Sequence, residues 1–141
     1  MNLDKDRLQL RRSLTREQVD QLTDLFQQEW WTKGRQKNDV EKLIAKAAII
    51  FAFIDPINEE LVGFARAMTD GVYKAMIFDI IVKETWRNTG LGRRLMDTIM
   101  EDPVLSQVKH RELYCLEEMV PFYEKWGFTA KLPGLFFMRR A

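Results

Sequence analysis

The sequence predicts a mixed α/β fold in which antiparallel hairpins come first and a crossover unit follows. Three observations carry this. Two β-branched and aromatic runs, AIIFAFID and LVGFARAMT, flank the short turn DPINEE; the strongly apolar run YKAMIFDIIV leads through a glycine loop into a helical pattern; and strand and helix signals then alternate to the C-terminus. With 141 residues, 46% of them hydrophobic, the chain has the length and apolar content of one compact domain, expected over residues 1–141.

Taken in order, residues 8–14 alternate apolar and basic like a half-buried strand, and SLTREQ then supplies a helix start capped by Thr15 or Ser13. Val19, Leu22, Leu25 and Phe26 recur at helical spacing and carry that helix towards Gln28 and the pair Trp30 and Trp31, before Gly34 breaks the chain. A second helix is expected from Asn38 or Asp39, with Val40, Leu43, Ile44 and Ala47 on one face. Residues 48–55 form a strand, the DPINEE turn closes a hairpin, and LVGFARAMT returns antiparallel. After a turn at Asp70 and Gly71, residues 73–82 read as a central strand buried on both faces, with Asp79 its only acid. Leu91, Leu95 and Ile99, one turn apart beside Met96 and Met100, define the next helix, and Pro103 falls just past it. ELYCL, residues 112–116, is expected as a strand, MVPFYEKW as a short helix ended by Gly127, and LFFMRR as the last strand.

Charge excludes several functions. The 22 Lys and Arg nearly balance 21 Asp and Glu, so no global field favours nucleic acid or an anionic membrane, and any anionic ligand must be held locally. One His and one Cys make neither a usual zinc site nor an internal disulfide, so no metal is expected. The N-terminus lacks the apolar core of a signal peptide and no apolar run is long enough to span a bilayer, so the expected location is cytoplasmic.

The stretch TWRNTGLGRRLMDTIM places Gly90 and Gly92 at the start of a helix, among Arg87, Arg93 and Arg94. The first N–H groups of a helix have no partner inside it and sit at the positive end of its dipole, so glycines there open backbone donors to an anion, and arginines add charge-assisted contacts. The loop reads as a phosphate cradle. It is not GxxxxGK[ST], and GxGxxG would need a further glycine near Leu95 and a place on the first strand. A plain strand-to-helix turn with a solvated basic rim is the alternative on these residues alone.

Read with its flanks, DIIVKETWRNTGLGRRLM resembles the acyl-CoA motif of the GNAT N-acetyltransferase superfamily, R/Q-x-x-G-x-G/A, at Arg87, Gly90 and Gly92. PFYEKWGF resembles that family's F-Y-x-x-x-G-F segment at Phe122, Tyr123, Gly127 and Phe128, so two separate motifs agree. The resemblance implies a mixed central sheet of six to seven strands flanked by about four helices, with a splayed central strand pair. It also implies acetyl-CoA as co-substrate, with its diphosphate on the amides of Arg87, Asn88, Thr89, Gly90, Leu91, Gly92 and Arg93. Pantetheine would pair with the main chain of Ile80, Ile81 and Val82, whose side chains are core.

The implied reaction is direct transfer of acetyl to a primary amine, on a small molecule or peptide. On the order of one alkyl amine in a thousand is neutral at pH 7, so a base is expected, and Asp79 is the candidate. A structural acid bonded across the sheet is its alternative role; relatives often place an acid at the adjacent position, which here is Phe78, and Glu117 and Glu118 are second choices. Tyr123 corresponds to the family tyrosine that donates to the leaving thiolate; its alternative is a packed aromatic. Where relatives often carry asparagine this chain has Glu117. Trp30, Trp31 and Tyr73 are assigned to the acceptor, since an aromatic wall with acids nearby suits a cationic amine. His110 reads as a surface loop residue and Cys115 as a small buried hydrophobe within a strand. The resemblance also admits a homodimer, with LFFM as its available interface. A GNAT-fold module that binds acyl-CoA or a protein without turnover is the alternative to an enzyme.

Overall fold

A computed structural model describes residues 3–141. A 3-10 turn at Lys5–Arg7 precedes strand β1 (Gln9–Arg11), helices α1 (Arg16–Phe26) and α2 (Lys37–Lys46), and strands β2 (Ile49–Asp55), β3 (Glu60–Thr69) and β4 (Lys74–Val82). Helix α3 (Leu91–Glu101), strand β5 (His110–Glu112) and helix α4 (Val120–Glu124) complete the order. The sheet runs β1-β2-β3-β4-β5, antiparallel except for the parallel β4–β5 pair.

Among the described residues there are five strands, not six or seven, and the shortfall has a physical cause. β5 pairs with β4 only from Lys74↔His110 to Met76↔Glu112, so 113–116 carry no ladder and ELYCL contracts to its first residue. Without a strand beside it, LFFMRR gains nothing from β propensity and runs as an irregular exposed segment. The first strand also shortens, since beyond Arg11 the chain turns to cap α1.

Helix α1 starts where its sequence says. Thr15 Oγ1 accepts from Gln18 N at 3.2 Å while Gln18 Oε1 accepts from Thr15 N at 2.9 Å, a reciprocal capping box. Thr15→Ala is expected to cost about 1 kcal/mol, measured by urea unfolding. Helix α2 begins earlier than Asn38, after Gln36, without a side-chain cap.

Helices α1 and α2 cover one face of the sheet over Leu22, Phe26, Ala52, Ile54, Phe64 and Ile81. α3 and α4 cover the other, where Leu91, Leu95, Met96 and Ile99 are fully buried, each contributing roughly 1.5–3 kcal/mol of transfer free energy. β4 therefore alternates buried with half-buried residues instead of being sealed on both faces, because α1 and α2 reach only its Ile81 end. Gly63 permits the tight α3 contact: a Cβ there would already touch Leu91 Cδ2 at 3.4 Å.

Candidate active site

The glycine loop is shaped by its neighbours on both sides. Trp86 is buried under it, Thr89 Oγ1 donates to Trp86 O at 2.5 Å, and Asn88 and Gly90 adopt left-handed φ of 62° and 89°. The first intrahelical bond is Arg94 N to Gly90 O, 3.1 Å. Among the described residues, no acceptor takes the backbone N–H groups of 88–93. A run of free donors thus opens at the positive end of an eleven-residue helix.

The arginines divide their duties. Arg87 pairs with Glu29. Arg94 turns away, donating to the carbonyls of Lys5 and Leu8 and stacking 4.8 Å from the Phe53 ring centre, so it ties the N-terminal segment to α3 instead of facing an anion. Arg93 is exposed and without a partner among the described residues. A cation that the sequence reading missed is Lys5, whose stem packs over Gly90: a Cβ there would lie 3.2 Å from Lys5 Cδ and Cε. Nothing in local sequence signals a contact so distant along the chain.

Next to this loop lies the open edge of β4. Pairing with β5 stops at Met76, and two residues of β4, Asp79 and Ile80, then oppose one of β3, Ala65, since Phe64↔Ile81 is followed by Arg66↔Phe78. Asp79 sits in this bulge with φ 56°. Lys83 N donates to Val62 O at 2.8 Å, so the preceding peptide groups, those of Val82, face the open side, where Gln28 Nε2 donates to Val82 O at 2.9 Å. Ile81 pairs inward with Phe64 and is buried, so its main chain belongs to the β3 ladder; Ile80 and Val82 pack on the α3 side. Gln28, also unforeseen, bridges to the cradle side by accepting from Glu84 N at 3.3 Å.

Asp79 holds the bulge together. Arg35 Nη1 and Nη2 donate to its two oxygens at 2.9 and 3.1 Å, and Arg66 Nε donates to Oδ2 at 2.7 Å, with the carboxylate side chain 5% exposed. Both oxygens are thus committed to guanidinium groups, the geometry of a structural acid.

Tyr123 has a buried ring edge-on to Phe122 and Phe128, and the turn after its helix is tied to α3 by Trp126 Nε1 donating to Asp97 Oδ1 at 2.8 Å. Its hydroxyl has no partner among the described residues yet is not sealed from solvent. Burial, with a smaller contribution from negative charge at Cys115, pushes the phenol up to about 12. Because the folded value exceeds the unfolded one near 10, this group's stabilisation is complete below pH 10 and is lost as pH rises towards 12. Tyr123→Phe should remove that part of the alkaline slope in chemical unfolding measured across this window. Cys115 is exposed and outside any strand, correcting the expectation of a buried hydrophobe in ELYCL; partial burial still raises its thiol. His110 is exposed but opens β5.

The expected acceptor residues are not all brought together. Trp30 and Trp31 are 72% and 41% exposed in the α1–α2 connection, beside the Gln28 and Glu29 contacts to Val82 and Arg87. Tyr73, 63% exposed, precedes the other end of β4, which is roughly 25 Å long. Asp70 is occupied there, its Oδ1 accepting from Val72, Tyr73 and Lys74 N. Glu117 and Glu118 line an open depression with Leu116, one residue beyond Cys115. Among the described residues no helix is long and apolar enough to cross a membrane.

Residues 11–128 match the profile of the Acetyltransferase (GNAT) family. The GCN5-related N-acetyltransferase 1, chloroplastic, of Arabidopsis thaliana is 33% identical over 82 residues, covering 56% of this chain and 42% of that protein. The N-acetyltransferase ycf52 of Pyropia yezoensis, itself uncharacterized, is 28% identical over 107 residues, 74% of this chain and 61% of its own length. The chain therefore spans about half the length of these curated relatives. Among solved structures, a Deinococcus radiodurans R1 protein provisionally assigned as an acetyltransferase superposes with a TM-score of 0.79 at 27% identity, covering 99% of this chain and 92% of that one.

Proposed function

The chain belongs to the acetyltransferase (GNAT) family, and we propose that it transfers acetyl from acetyl-CoA to the nitrogen of a primary amine, in an aqueous reducing compartment such as the cytoplasm. The observation that carries this reading is the run of N–H groups at 88–93, without acceptors among the described residues, directly beside the open edge of β4. These residues fit the diphosphate: glycines leave the donors uncovered, and Arg93 and Lys5 stand near with positive charge. The outward N–H of Val82 fits a pantetheine carbonyl, Val82 O being already taken by Gln28 Nε2 at the cradle end of the edge.

Acetyl-CoA supplies the activated thioester. The amine nitrogen bonds to the acetyl carbon, the carbon–sulfur bond breaks, and one proton must leave the ammonium while another neutralises the thiolate. Tyr123 stabilises the thiolate by donating a hydrogen bond from its hydroxyl, which has no partner among the described residues, and water supplies the neutralising proton. Asp79, expected as the base, serves in this reading as the brace of the bulge, since its oxygens already accept three bonds. The ammonium proton passes to Glu117 or Glu118, through water. Accordingly Glu117→Gln or Glu118→Gln should lower kcat in steady-state thiol release with the fold intact, whereas Asp79→Asn should act first on stability, read by urea unfolding.

Thermal unfolding with acetyl-CoA tests the binding half. At 100 times its dissociation constant, stabilisation of about 2.7 kcal/mol is expected, and an unmoved midpoint would count against the cradle. Release of free thiol with an amine panel tests turnover.

A further inference from the structure

We propose that the acceptor is an amine that also carries an anionic group, a carboxylate or phosphate, and that Arg66 binds this group. The inference rests on the acyl transfer proposed above and names its acceptor class.

Along β3, helical cover ends between Phe64, which is buried, and Met68, which is 38% exposed; Arg66 stands at that border with its side chain 16% exposed. Its guanidinium lies 4.7 Å from the centre of the Phe78 ring, and its Nε is fixed on Asp79. Among the described residues its two Nη groups have no acceptor, and they are not sealed from solvent. A guanidinium held flat and anchored at one nitrogen presents its other donors in a fixed plane, the geometry that matches a carboxylate or phosphate. Those donors reach solvent, and a charge-assisted bond to an incoming anion is stronger than one to water.

The surroundings favour an anion over the cationic amine expected from sequence. The rings beside Arg66 already hold this chain's own cations: Arg139 lies 5.7 Å from Tyr114 and 5.6 Å from Phe137, while Arg35 packs 4.5 Å from the fully buried Phe26. Phe78, Tyr114 and Phe137 form a continuous row, with centroids 6.3 and 5.1 Å apart. Arg35 and Arg66 share one carboxylate, Asp79, whose oxygens are taken, and Arg139 adds a further positive charge on the row. Phe78 lies on the stretch of β4 past the β5 ladder, so the row borders the open edge where the thioester is placed.

The test is the rate of thiol release from saturating acetyl-CoA with matched acceptors: β-alanine against β-alaninamide, phosphoethanolamine against ethanolamine, and spermidine as the cationic extreme. The anionic member of each pair should show kcat/KM about tenfold or more higher, from one charged hydrogen-bonded contact, with spermidine poorest. The pair with the larger ratio identifies carboxylate or phosphate as the better fit. Arg66→Met should erase the preference and leave the acetyl-CoA thermal shift intact, with Arg66→Lys retaining part of it; Arg139→Gln should reduce it by less. Equal rates within each pair, or an Arg66→Met loss shared by both members, overturns the proposal, and should that variant fail to fold, the wild-type panel and Arg139→Gln decide. An intact acetyl-CoA shift without anionic preference removes this inference alone, whereas no shift at all removes the transfer reading and this inference with it.

Discussion

Gly90→Asp is expected to weaken acetyl-CoA binding by two to three orders of magnitude in titration calorimetry, while Gly90→Asn keeps most of the affinity. Gly90 has φ 89°, a region that Asn and Asp tolerate better than other side chains. Either substitution places a Cβ 3.2 Å from the Lys5 stem, which is flexible and can swing aside. Backbone strain and steric cost are thus shared by the pair, and the difference between them is one negative charge at the mouth of the cradle. Two unit charges 4 Å apart interact by about 4 kcal/mol near a protein surface, so repulsion of a diphosphate reaches roughly a thousandfold before salt screening reduces it. Equal losses in both variants would assign the effect to sterics. If neither variant loses affinity, the diphosphate is bound elsewhere.

What the sequence made legible was local. The helix start capped at Thr15, the four-residue rhythm of Leu91, Leu95 and Ile99, and the β2–β3 hairpin all follow from neighbours a few positions apart, and all stand as expected. Failures came where a partner far along the chain decides. LFFMRR has strand propensity, but a strand needs a ladder, and β5 is too short to give one. Asp79 stood out as the one acid in an apolar run, but no periodicity announces that Arg35 and Arg66 converge on it. The same holds for the cradle: glycine spacing pointed to open amides, whereas Lys5 over Gly90, Gln28 on Val82 and the diversion of Arg94 to the N-terminal segment are tertiary facts. Trp30, Trp31 and Tyr73 suggested a home for a cation, and only the fold reveals that other rings, Phe78 and Tyr114, already carry arginines of the chain.

Tyr123→Phe is expected to lower kcat by roughly 10²–10³-fold with acetyl-CoA affinity unchanged, the loss typical of one donor aimed at developing charge. The substitution is clean, because the hydroxyl bonds to nothing else among the described residues, so Phe breaks no internal contact and stability at neutral pH should hold. With the phenol pushed up to about 12, Tyr123 stays protonated throughout the working range, ready to donate at any pH where the amine is neutral. Full transfer to a thiolate of ordinary pKa near 8.5 would run uphill by roughly 5 kcal/mol, so the hydroxyl stabilises sulfur by hydrogen bonding as the carbon–sulfur bond opens, and the proton is finally drawn from water. Burial therefore makes Tyr123 a weaker acid and a more reliable donor. The rate should not fall on the alkaline side through this residue until the protein itself begins to lose stability above pH 10. A kcat for Tyr123→Phe equal to the wild type would assign Tyr123 to packing against Phe122 and Phe128, and would leave the thiolate to be stabilised by the Cys115 side of the cleft or by solvent.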